Sequence, residues 1–276
     1  MLNEINISCT NAIAVGDLHG YFNSLVGMIK RYEITDTCII ICGDCGLGFY
    51  KPNYYKDQFS KISAVCRKLN DTVVMVRGNH DDPSYFSEGK ANTYRVIAVP
   101  DYTVVNGTIL CVGGATSIDR LDRLNDEKSK VEHYMLFHPG ASEEEARDNT
   151  PRYYWAGEQP FFDIDKLDEI ADKGLNIRTV VTHTCPSFCH PSDKDGLEYW
   201  TGRDENLADD IDYERNVMDR LYEKLKADGH MLDEWAYGHY HEHKMQYHDT
   251  TDFYLLDGVV FEGGNPDWIR LKYVNS

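Results

Sequence analysis

Five short polar clusters, each placed where an apolar run stops, constrain this chain more than any other feature. They are Gly16-Asp17-Leu18-His19-Gly20, Gly43-Asp44-Cys45-Gly46, Gly78-Asn79-His80-Asp81, Thr182-His183 and Gly238-His239-Tyr240-His241. The runs that lead into them are Ile13 to Val15, Cys38 to Cys42, Thr72 to Val76, Thr179 to Thr182 and Trp235 to Tyr237. Such short apolar, largely β-branched runs predict buried strands. Helical spacing follows the first two clusters, in Phe22, Leu25, Val26 and Ile29, and in Phe59, Ile62, Val65, Cys66 and Leu69 of a helix expected over 54–69. Strand, loop and helix in repetition predict an α/β fold. In open α/β sheets ligands bind beyond the carboxyl ends of strands, so the five clusters are expected to meet there.

Further along, Ile109 to Val112 reads as another strand, and a helix over 165–173 stops at Gly174. A long helix is expected over 207–227, with Leu207, Ile211, Met218, Leu221 and Leu225 facing inward. The final runs, 235–237, 244–247, 253–257 and 269–273, predict an antiparallel sheet. Between them, 119–160 is charged and aromatic and is broken by Pro139, Pro151 and Pro160. It reads as an elaborated connection or cap on a single domain spanning 1–276, with a helix starting near Glu143.

Composition narrows the partners. Lys and Arg number 28 against 46 Asp and Glu, a net charge of −18 that repels nucleic-acid backbones and argues against a general nucleic-acid partner. No secretory h-region follows Met1, and no apolar run approaches the roughly 20 residues that span a bilayer. A cytoplasmic protein with no membrane partner is expected. Most of the eight cysteines sit in or beside apolar runs, as small hydrophobes in a reducing compartment. Cys42 and Cys45 straddle Asp44, and Cys185, Cys189 and His190 lack the second cysteine pair of a structural zinc site.

Asp17 and His19 are two apart, as are His239 and His241, and in an extended strand end each pair would share a face. Asp44 could bridge two cations, Asn79 offers an amide oxygen and His183 an imidazole. This oxygen and nitrogen set without thiolate suits Mn²⁺, Fe or Zn²⁺. Any one cluster alone reads as a turn or a satisfied polar residue, and so do His133, His138, His190, His230, His243 and His248. The ordered set is what points to a centre for two divalent metal ions.

The ordered set resembles the calcineurin-like metallophosphoesterase superfamily, with a glycine-rich run at 113–117 similar to some bacterial and phage-type members. The family pattern runs D-x-H, G-D-x-x-D, G-N-H-[DE], H and G-H-x-H, and here extends from Asp17 to His241. The resemblance implies a two-sheet β-sandwich flanked by helices on both sides. It places Asp17, His19 and His241 on one metal, Asn79, His183 and His239 on the other, and Asp44 between them. His80 would protonate the leaving oxygen and Arg77 would grip the phosphate. Hydroxide drawn from a water shared by the cations would attack phosphorus in line. Manganese is the first metal expected, with iron or zinc as alternatives. The implied substrate is a phosphoester, on a small molecule or a phosphoprotein. A phosphomonoesterase or protein phosphatase is preferred over a phosphodiesterase, and a non-catalytic metal-binding scaffold ranks below both.

One departure stands out. The second Asp of G-D-x-x-D falls on Leu47, leaving Asp81 or Asp82 as the substitutes that could orient His80. Arg120 and Arg123 read either as phosphate contacts or as a salt-bridged helix start. The aromatic residues Tyr153, Tyr154, Trp155, Phe161 and Phe162 read either as a pocket wall or as packing. Glu158 is given no role beyond a local hydrogen bond.

Overall fold

Strands that are apolar on both faces must be covered on both sides. The computed structural model, which describes residues 1–191 and 196–272, shows how that is done. In chain order the first half contains β1 (Asn3–Ile5), β2 (Asn11–Val15), α1 (Phe22–Arg31), β3 (Thr37–Ile41), α2 (Pro52–Leu69), β4 (Thr72–Met75), α3 (Pro83–Glu88), β5 (Val96–Ala98), β6 (Thr103–Val105) and β7 (Ile109–Val112). The insert region adds α4 (Arg120–Phe137) and α5 (Glu143–Asn149), followed by α6 (Ile164–Asp172) and β8 (Thr179–Thr182). Then come α7 (Leu197–Thr201), α8 (Leu207–Ala227), β9 (Glu234–Tyr237), β10 (Lys244–His248), β11 (Thr251–Leu255) and β12 (Trp268–Arg270).

The strands form two sheets, one ordered β1-β6-β7-β8-β9-β11-β10 and the other β12-β2-β3-β4-β5. The two-residue period of a strand sorts their side chains into three cores. Ile13, Val15, Ile39, Ile41, Val73 and Met75 face outward onto Leu25, Met28 and Ile29 of α1 and Phe59, Ile62 and Cys66 of α2. Their alternates Ala12, Ala14, Cys38, Ile40 and Val74 pack between the sheets against Val105, Ile109, Cys111, Val181 and Ala236. On the far side Val180, Trp235, Tyr237 and Phe253 meet Leu167 and Ile170 of α6 and Val217, Met218, Leu221 and Leu225 of α8. The result is a helix, sheet, sheet, helix sandwich, as expected.

All five cluster-bearing strands run parallel within their sheets. β2, β3 and β4 are neighbours in one sheet, and β8 and β9 are neighbours in the other. Their carboxyl ends therefore open on one edge of the sandwich.

The C-terminal expectation needs correcting. β9 pairs in parallel with both β8 and β11, because the β10–β11 hairpin folds back and inserts β11 beside β9. β12 leaves that sheet entirely and pairs antiparallel with β2 (Ile269 opposite Ala14). Alternation marks a strand but does not name its partner. Tyr273, the last residue of the expected final strand, lies outside the described residues.

The 119–160 insert is more helical than its sequence suggests. Only Glu127 and Val131 of α4 are buried, so the helix carries no apolar stripe. Ion pairs one turn apart support it, Arg123 to Asp119 where the helix starts and Lys130 to Asp126 further along. Ser142 caps α5, its hydroxyl accepting from the Glu145 N–H at 3.1 Å. The aromatic tail of the insert packs onto the body: Trp155 is buried and stacks on Phe49, and Phe162 packs against the α6–α8 core. All eight cysteines are buried and free. Among the described residues no helix is long and apolar enough to cross a membrane.

Candidate metal centre

The cluster loops are zipped to one another by backbone. Leu18 and His19 N–H both donate to the Asp44 carbonyl (3.1 and 2.7 Å), and Gly20 N–H donates to the Cys45 carbonyl. Asp81 pins two of the loops from below, accepting from Leu47 N–H with one oxygen and from Cys45 and Gly78 N–H with the other. Two glycines are required by close approach. A Cβ on Gly78 would lie 2.1 Å from both the backbone nitrogen and a carboxylate oxygen of Asp44, and one on Gly238 would lie 2.0 Å from Asp17 Oδ1. Gly78→Ala is therefore expected to displace Asp44 and to destabilise the fold by about 1–3 kcal/mol. Urea denaturation checks the stability, and metal analysis of the same variant checks the displacement.

The shared-face expectation for Asp17 with His19, and for His239 with His241, does not describe the backbone. His19 (φ 48°), Asp44 (φ 43°), His239 (φ 71°) and His241 (φ 51°) are all left-handed, at a cost of roughly 1–2 kcal/mol each. The side chains converge through these turns and not through strand alternation. Strain of this kind persists where surrounding bonds over-determine it. Here the His239 N–H donates to Asp17 Oδ2 at 3.0 Å.

The result is a compact set of ligating atoms. Asp17, His19 and His241 each bring one within 4.8 Å of the others, and so do Asp17, Asp44 and His183. A third such group joins His19, Asp44 and His80. Fully buried His183 lies with Nε2 2.8 Å from Asn79 Oδ1 and 3.2 Å from Asp44 Oδ1, and its Nδ1 faces the Cys42 carbonyl at 2.8 Å. His239 joins from the side, its ring 5.0 Å from that of His183. Among the described residues, buried Asp17 Oδ1 and His19 Nε2 have no hydrogen-bond partner. Unpartnered acceptors beside an oxygen and nitrogen donor set are what a cation site presents, so the residues fit two divalent ions.

Charge in the cluster is divided unevenly. Burial raises the Asp17 carboxyl well above its ordinary range, with Asp44 adding to the rise and His183 opposing it. Burial also acts to raise Asp44, but His183, His80 and His19 outweigh it and hold that carboxylate well below its usual value. For His183, burial is overcome by Asp44 and Asp17, and the imidazole is pushed up to about 10. Burial takes His19 down to about 4, leaving a neutral ring able to ligate. Burial likewise lowers His80, where Arg123 opposes the charged form while Asp44 and Asp119 favour it.

Above the cluster opens a cleft of about 270 Å³, lined by Asp44, Asn79, His80, His239 and His241 on its floor. The sequence model of the family described as "Calcineurin-like phosphoesterase" matches residues 11–243. The chain belongs to the calcineurin-like phosphoesterase family. It is accordingly a metal-dependent phosphoester hydrolase, of a family that works with two divalent metal ions. No curated protein sequence matches it significantly. Among solved structures it is similar to a dimetal phosphatase from Danio rerio (14% identity, covering 93% of this chain and 90% of that one, TM-score 0.43). It is also similar to a cold-active protein-tyrosine phosphatase of a psychrophilic Shewanella species (13%, 99% and 78%, TM-score 0.38). A third is a protein serine/threonine phosphatase from Saccharomyces cerevisiae (13%, 93% and 71%, TM-score 0.36).

Two expectations drawn from the calcineurin-like pattern meet a different geometry. Arg77 is buried and turned away from the cleft. Its guanidinium donates to Asp101 (2.9 Å) and to the carbonyls of Gly157, Glu158 and Gln159, so it clamps the end of the insert and is not placed to grip phosphate. At Leu47, where the calcineurin-like pattern has its second Asp, the side chain lies in the helix-facing core. Neither proposed substitute reaches His80. Asp81 is spent on three backbone N–H groups, and Asp82 caps α3 through Ser84. After Asp44, the carboxylate whose charge bears on His80 is Asp119, on the cleft wall at the start of α4.

The supporting residues were also unforeseen. Asn79 Nδ2 donates to Ser117 Oγ (2.8 Å), and Ser117 donates from both its backbone N–H and its hydroxyl to Glu158. That chain fixes the amide with its oxygen toward His183. Glu214, buried in mid-helix on α8, takes the Thr116 N–H and the Thr184 hydroxyl. His190, read as an ordinary polar residue, lines the cleft with Arg215. Arg120 begins α4 and pairs with Asp204 and Asp210, as the salt-bridge reading had it.

Proposed function

We propose that the protein is a phosphomonoesterase of small organic esters, with Asp17, His19 and His241 as ligands of one cation, Asn79, His183 and His239 of the other, and Asp44 shared. Residues 1–276 form one catalytic domain in this reading, with 119–160 as its elaboration. The observation that supports it is that Asp17, His19, Asp44, His183 and His241 bring ligating atoms within 4.8 Å of one another in overlapping groups, with Asn79 and His239 beside His183 and with Asp17 Oδ1 and His19 Nε2 buried and unpartnered among the described residues. Manganese is the first ion to test, and iron or zinc suit the same donors.

Divalent cations held there supply Lewis acidity toward phosphoryl oxygens and lower the pKa of water. The chain does the rest. The glycine-packed loops hold the carboxylates in place, and Ser117 with Glu158 keeps the Asn79 oxygen inward. His80 sits at the cleft floor, its N–H anchored on Asp44 at 2.8 Å, and gives a proton to the departing alcohol. Arg123, close enough to His80 to bear on its charge, adds positive potential that suits a dianionic monoester. A terminal phosphate arriving there favours the protonated ring and restores the proton that burial disfavours.

Comparing p-nitrophenyl phosphate with its bis ester and with 2′,3′-cyclic nucleotides tests the reading. The monoester is expected to be hydrolysed fastest, chelation to abolish turnover and Mn²⁺ to restore it. Faster hydrolysis of the diesters would favour a phosphodiesterase. Metal binding is also expected to release protons. The Asp44 and Asp17 carboxylates hold His183 raised to about 10, which favours its protonated form, and the imidazole must lose that proton to ligate. Metal affinity therefore weakens as pH falls, and Mn²⁺ titration calorimetry in buffers of different ionisation enthalpy reads the release directly. Proton-neutral binding at pH 7 would contradict the assignment of His183.

A further inference from the structure

The metal cluster occupies only the floor of the cleft. One wall is a face of α8, where Ile211, Glu214 and Arg215 fall at positions i, i+3 and i+4 and so point the same way. Glu214 accepts from the N–H of Thr116 on the cleft lining and from the Thr184 hydroxyl, which fixes the helix rotation that presents Arg215. One guanidinium Nη2 of Arg215 donates to His190 Nε2 at 3.1 Å. The imidazole therefore accepts at Nε2, and it lies edge-on to Tyr240, ring centres 5.0 Å apart. Arg215 Nε is buried and has no partner among the described residues. Among the described residues the nearest carboxylate to the guanidinium is exposed Asp212, at 4.0 Å from Nη1, and both oxygens of Glu214 are already occupied. Ile118 and Leu197 join Ile211 as apolar lining beside this arginine.

An arginine on a cleft lining that also holds apolar side chains, with an unpartnered donor and no place in the proposed ligand set, is a recognition element for an oxyanion on an organic body. We propose that this arm of the cleft binds the leaving-group portion of the substrate, and that this portion carries a second anionic group, a carboxylate or a phosphate, paired with Arg215. The inference rests on the phosphomonoesterase reading for where the scissile phosphate sits, and it narrows the substrate to organic esters with two separated anions. Arg215 is a specificity-determining residue in this assignment and takes no part in the chemistry.

Phosphonates test it, because they bind without being hydrolysed. The manganese-loaded protein is titrated calorimetrically with phenylphosphonate and with its derivatives bearing a carboxylate or a second phosphonate at the meta or para position. At least one derivative is expected to bind about tenfold more tightly than the parent, the scale of one charge-assisted hydrogen bond. The better of the carboxylate and phosphonate series identifies the second anion. Arg215→Gln is expected to bring that affinity ratio to about 1, and Arg215→Lys to keep a measurable part of it. A poorly folded variant loses affinity for parent and derivative alike and leaves the ratio intact. Equal binding of parent and all derivatives by the wild-type protein, or an unchanged ratio in an Arg215→Gln protein that binds the parent phosphonate as tightly as wild type, overturns the assignment. Turnover of p-nitrophenyl phosphate, read separately, reports on the hydrolase reading alone.

Discussion

Asp44→Asn is expected to lose more activity than any other single substitution, with metal content falling from two ions toward one or none. The change keeps shape and volume, and the amide oxygen of the replacement side chain can still accept the His80 N–H that Asp44 Oδ1 now takes at 2.8 Å. What disappears is the charge that three histidines share. Loss of a partner that only supports a metal ligand already costs about 10–100-fold in metal affinity or activity. A ligand common to both ions is expected to exceed that range. The substitution should also reshape the pH dependence of the metal-free protein. His183 is raised from 6.5 to about 10 mainly by Asp44 and Asp17, against burial. A group raised in the folded state adds stability that is complete below its unfolded value and disappears as pH rises through the folded one. Metal-free wild type should therefore lose stability between about pH 6.5 and 10, and the variant should lose less over that window. Urea denaturation at several pH values, with metal analysis and kcat/KM for p-nitrophenyl phosphate, reads all three effects. A variant that kept two ions and near wild-type turnover would remove Asp44 from the centre.

What the sequence made legible was the edge of the sandwich and not its walls. Asp17, Asp44 and Asn79 each follow a run whose apolar character marks a buried parallel strand, and the position of a strand's end is a local property. Five such ends needed only the rule that parallel strands share an edge. Conformation at the turns was not local in the same sense. His19 and His241 take left-handed φ because neighbouring loops hold them there, so the spacing picked out residues that the fold brings together, for a reason that does not apply. Arg77 shows the opposite failure. Its sequence neighbours resemble a phosphate-gripping motif, but the groups that claim its guanidinium lie at 101 and 157–159, beyond any window. A weaker signal lies in α8. Glu214 and Arg215 interrupt the inward stripe of Ile211, Met218 and Leu221, and charges within a buried stripe need partners. The pairing of β12 with β2, across more than two hundred residues, left no trace in the pattern of either strand.

His80→Ala is expected to retain both metal ions and to lose about 10²–10⁴-fold in kcat on alkyl phosphates, the usual worth of a positioned general acid. The expectation follows from where the ring sits. His80 lines the cleft floor above Asp44, yet its Nδ1 lies 3.7 Å from Asp44 Oδ2, beyond hydrogen-bond distance, while its backbone N–H makes the anchoring bond. Removing the side chain therefore leaves that anchor and the seven proposed ligands untouched. Leaving-group chemistry supplies the discriminating measurement. A nitrophenolate departs without needing a proton, whereas an alkoxide does not, so the loss should be small on p-nitrophenyl phosphate and large on an alkyl ester. The ratio of the two losses isolates proton donation from any change in metal affinity, which would lower both rates together. The third ligating group complicates the choice of role, since His19, Asp44 and His80 also approach one another closely enough to hold an ion. If His80 were a ligand, His80→Ala would lose metal and fall equally on aryl and alkyl esters. Retained metal with a steep dependence on the leaving group identifies the acid.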